Sequence, residues 1–344
     1  MRANAIVQEG RSLVAKEVSL PSLKEHQLYV RISHAAFNPT DRLALDVNAF
    51  GDGAVLGCDF AGEVVEAHPS VSKFANGSKI AAFIWGGEIP GLGAYSTHTI
   101  ADERLSFHIP ENISAPEAST IPLAANTAWL ALFSSDCLGL PRNSSKGASV
   151  LIWGGSSVVG YFAVQLARLH GYEVITTCSP QNFDKVKSAG ATLAFDYNDK
   201  EVISRIREAV PDLEHVFDTI GNASSSAAAS KALKDSTGRL CTVRPGKANT
   251  ESVPATVDVS DVFVFTAFPT AHTYRGKAHW PVNIPNHKLS LDLHDQLPKL
   301  LHEGALRPPS VKILGSLSPN TVAQAMDLNR DGKISAEKIV FKVD

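Results

Sequence analysis

Charge of one sign does not dominate this 344-residue chain: 32 Lys and Arg stand against 35 Asp and Glu, a net charge of −3. No segment gathers the basic residues, so the electrostatic footprint of a nucleic-acid binder is missing. Nor is there an apolar run near the roughly 18 residues that a membrane-spanning helix needs. Cysteine is sparse: Cys58, Cys137, Cys178 and Cys241 are far apart and make no Cys-x-x-Cys pair. That excludes a zinc knuckle and a thioredoxin-like motif. The opening MRANAIVQEG has no apolar signal core. The expectation is a cytoplasmic protein whose reduced thiols pack as small hydrophobes. His26, His34, His68 and His98 fall among β-like segments without i, i+4 pairing, so no histidine metal site is expected.

What is present fits a packed soluble enzyme: 44% of residues are hydrophobic and 19% charged, over a length that suits two domains. The first ~115 residues carry short β-like runs (residues 28–32, 62–66 and 79–83) between turn signals such as Asn76-Gly77 and Pro90-Gly91, which suggests a partly antiparallel β domain. After Pro116 the pattern changes. Strands are expected at 148–153, 172–178, 191–197, 214–220 and 239–243, with helices over 157–170, 183–189, 201–210 and 224–234. Such alternation calls for a parallel, doubly wound α/β sheet. The last ~60 residues hold a helical stretch over 289–302 and a closing strand over 338–343, too little for a core of their own.

The first strand of the repeat runs into Gly154-Gly155-Ser156-Ser157-Val158-Val159-Gly160, a G-x-S-x-x-G form of the dinucleotide fingerprint. Gly155 is read as permitting the tight turn, and Gly160 as letting the helix approach the strand. The amides near Ser157 and Val158 would face a pyrophosphate. The alternative is a glycine turn needed only for packing. A carboxylate that would bind an NAD ribose is expected about 20 residues on. That place holds Cys178-Ser179-Pro180-Gln181-Asn182, with no acid to repel a 2′-phosphate. Ser179, Asn182 and Tyr197 can donate hydrogen bonds, and Lys185 and Lys187 add positive charge, so NADPH is the expected cofactor.

The run from Gly154 to Tyr197 resembles the zinc-independent medium-chain dehydrogenase/reductase superfamily, and within it the fungal trans-acting enoyl reductases that partner polyketide synthases. The likeness extends to Phe37-Asn38-Pro39-Thr40-Asp41, Gly57-Cys58-Asp59-Phe60-Ala61-Gly62, Gly93-Ala94-Tyr95-Ser96, the 122–128 stretch and Ser335-Ala336-Glu337-Lys338. It implies a GroES-like β-rich catalytic domain built from residues 1–120 and 282–344, around a Rossmann NADPH-binding domain over 121–281. It also implies monomers or homodimers. Where the zinc-bearing branch carries a Cys and a His-Glu pair, this sequence has Asn38, and Cys58 with Asp59, so no metal is expected.

The resemblance further places Thr127 and Thr40 beside nicotinamide and substrate as catalytic hydroxyls. It puts Leu130 and Phe265-Thr266-Ala267 on the substrate. It puts Asp41, Gly155, Ser156, Ser157, Val158, Val159, Ser179, Pro180, Gln181, Asn182, Tyr197, Val243, Arg244 and Ser335 on the cofactor. The implied reaction is hydride transfer to the β-carbon of an α,β-unsaturated carbonyl, an enoyl thioester carried by a polyketide synthase partner. A stand-alone quinone or small-enone reductase and a non-catalytic NADPH binder are the alternatives. One departure matters: relatives often carry a Lys at the place of Leu43, so either Arg42 substitutes, solvent supplies the proton, or the chemistry differs from enoyl reduction. The Asp327–Lys338 stretch resembles an EF-hand loop but lacks the Glu at position 12, and reads as a polar turn.

Overall fold

The computed structural model describes residues 1–144 and 147–344. These divide into two compact units, one of Met1–Leu123, Phe265–Gly304 and Pro308–Asp344, the other of Ala124–Val264 with Ala305–Arg307.

The first unit is built on a seven-stranded sheet. Its order is Ser310–Ser316, Glu337–Lys342, Gln27–Ala36, Asp59–Ala67, Lys79–Phe83 and Ser106–His108, with His98–Asp102 also paired to Gln27–Ala36. Pairing is antiparallel except between Ser310–Ser316 and Glu337–Lys342. The C-terminal strand lies against Gln27–Ala36, Val340 opposite Ala36, so the two ends of the chain share one sheet. Leu28, Val30, Phe60, Ile80, Tyr95 and Phe341 form part of its buried core. Helix α1 (Pro39–Asp46) follows the strand Gln27–Ala36, its Pro at the first turn where no N–H is needed. Helix α2 (Pro122–Phe133) starts at the end of this unit.

The second unit holds six strands: β1 (Ser149–Trp153), β2 (Glu173–Cys178), β3 (Leu193–Asp196), β4 (His215–Asp218), β5 (Gly238–Thr242) and β6 (Val257–Asp261). Their spatial order is β3-β2-β1-β4-β5-β6 and every neighbouring pair is parallel. This is the doubly wound Rossmann order, with the reversal beside β1. The unbroken apolar run of β1 is buried, as a strand covered on both faces requires. Helix α3 (Val158–Leu169) returns from β1, capped by Ser157 and followed at Gly171 by φ +87°, which only glycine adopts cheaply.

Among the differences from the sequence reading are two elements and one boundary. Strand β6 was not expected, because its VDVSD pattern is half polar. The long helix begins at Ile284 rather than 289: Asn283 accepts the Asn286 N–H and a Pro fills the first turn, a cap that resembles a loop in sequence. The chain rejoins the β-rich unit at Phe265, ahead of the expected 282. The segment after Phe265 is held there by aromatic packing, with Trp85 stacked between Phe265 (4.8 Å) and Tyr274 (6.0 Å).

Candidate functional site

In the Rossmann unit the turn after β1 is shaped by glycines with distinct duties. Gly154, not Gly155, takes the positive φ of +87°. Gly155 is required for another reason: a Cβ there would lie 2.0 Å from the Thr176 Oγ1 on β2. At Gly160 a Cβ would lie 2.2 Å from the Gly154 carbonyl oxygen, so α3 approaches the turn only because that residue is bare. Ser157 accepts the Gly160 N–H at 3.0 Å and shares a hydrogen bond with Thr219 at 2.8 Å. The first-turn amides of Val158 and Val159 have no intrahelical acceptor and stand at the positive end of the helix dipole. A glycine cradle opening a helix fits a dinucleotide pyrophosphate.

The ends of β2 and β3 lie side by side, Asp196 level with Cys178. Ser179 and Tyr197 therefore meet, their hydroxyls 3.2 Å apart, and the Tyr197 ring is 46% exposed. Pro180 and Gln181 are exposed in the following turn and Asn182 is buried. The Lys185 ammonium lies over the Tyr161 ring at 5.4 Å. Burial, helped by the Asp196 carboxylate, pushes the Cys178 thiol up to about 11, which disfavours the thiolate. Val243 and Arg244 follow β5, and the Arg244 Nε donates to the Gly221 carbonyl.

In the β-rich unit, a buried polar cluster gathers residues the sequence did not connect. The Asp41 carboxylate accepts from the Tyr95 hydroxyl (2.7 Å), the Asn38 N–H (2.8 Å) and the Cys58 thiol (3.4 Å). Burial raises Asp41 to about 6 despite these donors, and burial raises Cys58 and Tyr95 well above their ordinary values. Asp41, expected on the cofactor, thus has its carboxylate committed inside the protein. Beside it, Asp59 accepts from the Asn38 side-chain amide (2.9 Å) and the Leu123 N–H (2.8 Å), and Lys338 bonds both Asn38 and Asp59. Burial raises Asp59 too, with Lys338 opposing the shift. A lysine beside the apolar run of the strand EKIVFK was the available signal; the sequence reading places Lys338 in the 335–338 likeness and in the EF-hand-like stretch and does not connect it to Asn38 or Asp59.

Thr40 is half-buried at the second position of α1, and Ser335 is exposed. Thr127 is buried at the sixth position of α2, too far along to serve as a cap, with Leu130 three residues on. Phe265 stacks on Trp85, Thr266 accepts from the Asn286 amide (3.0 Å), and the Ala267 carbonyl bonds the His287 ring (2.6 Å). Arg42 is anchored to Asp46 (2.7 Å) and Asn329 (2.9 Å), so its guanidinium is tied between α1 and the helix Pro319–Arg330. The EF-hand-like stretch is committed likewise: Asp327 pairs with Arg330, Asp331 with Lys333, and Lys338 is buried on Asp59.

The donors at the metal-branch positions do not fit a zinc ion: an amide, a thiol turned onto a carboxylate, and a carboxylate held by an ammonium. Among the described residues, no group of three His, Cys, Asp or Glu could hold a metal, and no helix is long and apolar enough to cross a membrane.

Comparison with known proteins agrees with this architecture. The alcohol dehydrogenase GroES-like domain family matches residues 24–111, and the zinc-binding dehydrogenase family residues 158–277. A trans-enoyl reductase of Gibberella fujikuroi is 31% identical over 349 residues, covering 98% of this chain and 96% of its own. The dehydrogenase orf1 of Aspergillus niger is 38% identical over 215 residues; the match spans 58% of this chain and 61% of that protein. The crystal structure of CurK enoyl reductase superposes with a TM-score of 0.75 at 17% identity, covering 100% of this chain and 99% of its own, a likeness of fold. With a relative alike along nearly its whole length, the chain belongs to the medium-chain dehydrogenase/reductase superfamily.

Proposed function

We propose that this chain is an NADPH-dependent, zinc-independent enoyl reductase. Its substrate would be an α,β-unsaturated thioester carried by a polyketide synthase partner, and hydride would go to the β-carbon. The observation that carries the reading is the full-length likeness to a trans-enoyl reductase. The glycine cradle and the acid-free end of β2 support it.

A bound nicotinamide supplies the hydride. The chain's own part is binding and charge control. The Val158 and Val159 amides would hold the pyrophosphate, while Ser179, Asn182 and Tyr197, with Lys185 near, would take the 2′-phosphate. As hydride arrives, negative charge collects on the substrate carbonyl oxygen, and the Thr40 and Thr127 hydroxyls are the donors assigned to hold it. Leu130 and Phe265-Thr266-Ala267 would line the acyl chain, with Val243, Arg244 and Ser335 along the cofactor. With Leu43 apolar and Arg42 tied to Asp46 and Asn329, the proton for the α-carbon is assigned to water.

The test is anaerobic turnover by the full chain of an unsaturated pantetheine thioester, a small enone and a naphthoquinone, with 4-deuterated NADPH and with NADH. Deuterium at the thioester β-carbon is expected. Turnover confined to the quinone, or NADH used as well as NADPH, would overturn the reading in substrate or cofactor respectively.

A further inference from the structure

Helix α2 begins at Pro122. The residue before it is Ile121, which has no side-chain acceptor, and Pro122 has no N–H. The Leu123 N–H is therefore the first amide in need of a partner. Asp59 provides it from a distant strand: Oδ1 accepts the Leu123 N–H at 2.8 Å, a carboxylate set at a helix N-terminus. The other oxygen, Oδ2, accepts the Asn38 amide at 2.9 Å. Asn38 is the N-cap residue of α1, and Asp41 in turn holds its backbone N–H. Lys338, with a side chain 5% exposed, lies 3.3 Å from Asp59 Oδ2 and also donates to Asn38. The carboxylate is fully buried, which raises its pKa, and the neighbouring Lys338 opposes that shift.

We propose that Asp59, paired with Lys338, is a positioning residue: through Asn38 and the Leu123 N–H, one side chain holds the starts of both helices that carry the candidate hydroxyls, Thr40 on α1 and Thr127 on α2. The catalytic part of this inference rests on the enoyl-reductase reading. The clamp itself does not. Neither residue is placed on the reacting atoms; each acts on the start of a helix.

Two charge-free double variants separate positioning from plain stability. In Asp59→Asn with Lys338→Met, the amide oxygen can still accept from Leu123. In Asp59→Ala with Lys338→Met, that acceptor is removed. Both remove the buried pair together, which spares the fold an unpaired charge. The alanine pair is expected to melt somewhat below the asparagine pair, because buried donors lose their Asp59 acceptor, and NADPH affinity should be similar. In the alanine pair, amide exchange should accelerate in peptides covering residues 36–46 and 120–130, with kcat down roughly 10²-fold. The asparagine pair should recover most of both. Asn38→Ala, a milder change, should accelerate exchange at 36–46 and leave 120–130 unaltered; this arm decides the matter if the alanine pair does not fold. Equal exchange and equal kcat in the two pairs would overturn the inference, as would protection lost evenly across the chain. A wild-type protein that reduces no enone would sink the functional reading, and the exchange data would still decide the clamp.

Discussion

At the scale of single residues, the proposed preference for NADPH is tested most directly at one pair of hydroxyls. Ser179 and Tyr197 lie 3.2 Å apart at the ends of adjacent strands, and the Tyr197 ring is open to solvent. The nearby carboxylate of Asp196 acts in the opposite sense, since its charge is felt at Cys178. A hydrogen bond to a charged group contributes about 1.5–3 kcal/mol, roughly tenfold or more in affinity. Tyr197→Phe and Ser179→Ala are therefore each expected to raise the KM for NADPH about tenfold, with the KM for NADH and the kcat little changed. Ser179→Glu should reverse the preference, because its carboxylate repels a phosphate and can bind a free ribose hydroxyl. Steady-state kinetics with both cofactors decide the matter: parallel losses for NADPH and NADH would mean that these hydroxyls are structural and read no phosphate.

At the scale of elements, the β1–α3 turn shows how a glycine can be required by its neighbour rather than by its own backbone. A Cβ at position 155 would sit 2.0 Å from the Thr176 Oγ1, and that hydroxyl is itself held by the Ile152 carbonyl at 2.7 Å. Gly155→Ala should cost about 1–3 kcal/mol through overpacking and weaken NADPH binding. Adding Thr176→Ala should recover part of both losses, a coupling that urea denaturation of the four-member mutant cycle would measure. Additive losses would place the strain elsewhere. The turn also marks what was legible in advance. The Gly-Gly-Ser-Ser-x-x-Gly run announced a strand, a turn and a helix, because glycine spacing and apolar runs are local signals. Which glycine bore the positive φ was not legible from spacing, nor was the demand at Gly155, which comes from Thr176 in another strand. Strand β6 was obscured by its polar alternation, and the start of the helix Ile284–His302 by Pro and Asn residues that serve caps and loops alike. The Asn38–Asp59–Lys338 cluster stayed hidden for the same reason: its members are up to 300 positions apart in sequence, and only the closing of the sheet by the C-terminal strand brings them together.

At the scale of the whole molecule, two buried groups in the β-rich unit give opposite responses to acid. Burial raises Asp41 from 3.8 to about 6. Between those values the unfolded chain has lost the proton and the folded chain keeps it, so stability falls as pH rises, by about 3 kcal/mol in all. Burial lowers His294 from 6.5 to about 4, with Lys73 adding to the shift. Its ring lies against Phe83 at 5.8 Å, and Nδ1 bonds the Ser290 carbonyl. Here the unfolded chain gains the proton first, so stability falls as pH drops from 6.5 to 4, again by about 3 kcal/mol. The two slopes oppose each other over nearly the same window and largely cancel in the wild type. Removing either group should expose the other. Asp41→Asn, whose amide oxygen can still accept from Tyr95, should lose stability on acidification relative to wild type. His294→Leu should gain it. Chemical denaturation at several pH values between 4 and 6.5, with wild type subtracted at each, isolates the two effects from the other carboxylates. Two variants that both follow the wild-type curve would mean that neither group keeps its shifted proton affinity in the folded protein, and that solvent reaches them both.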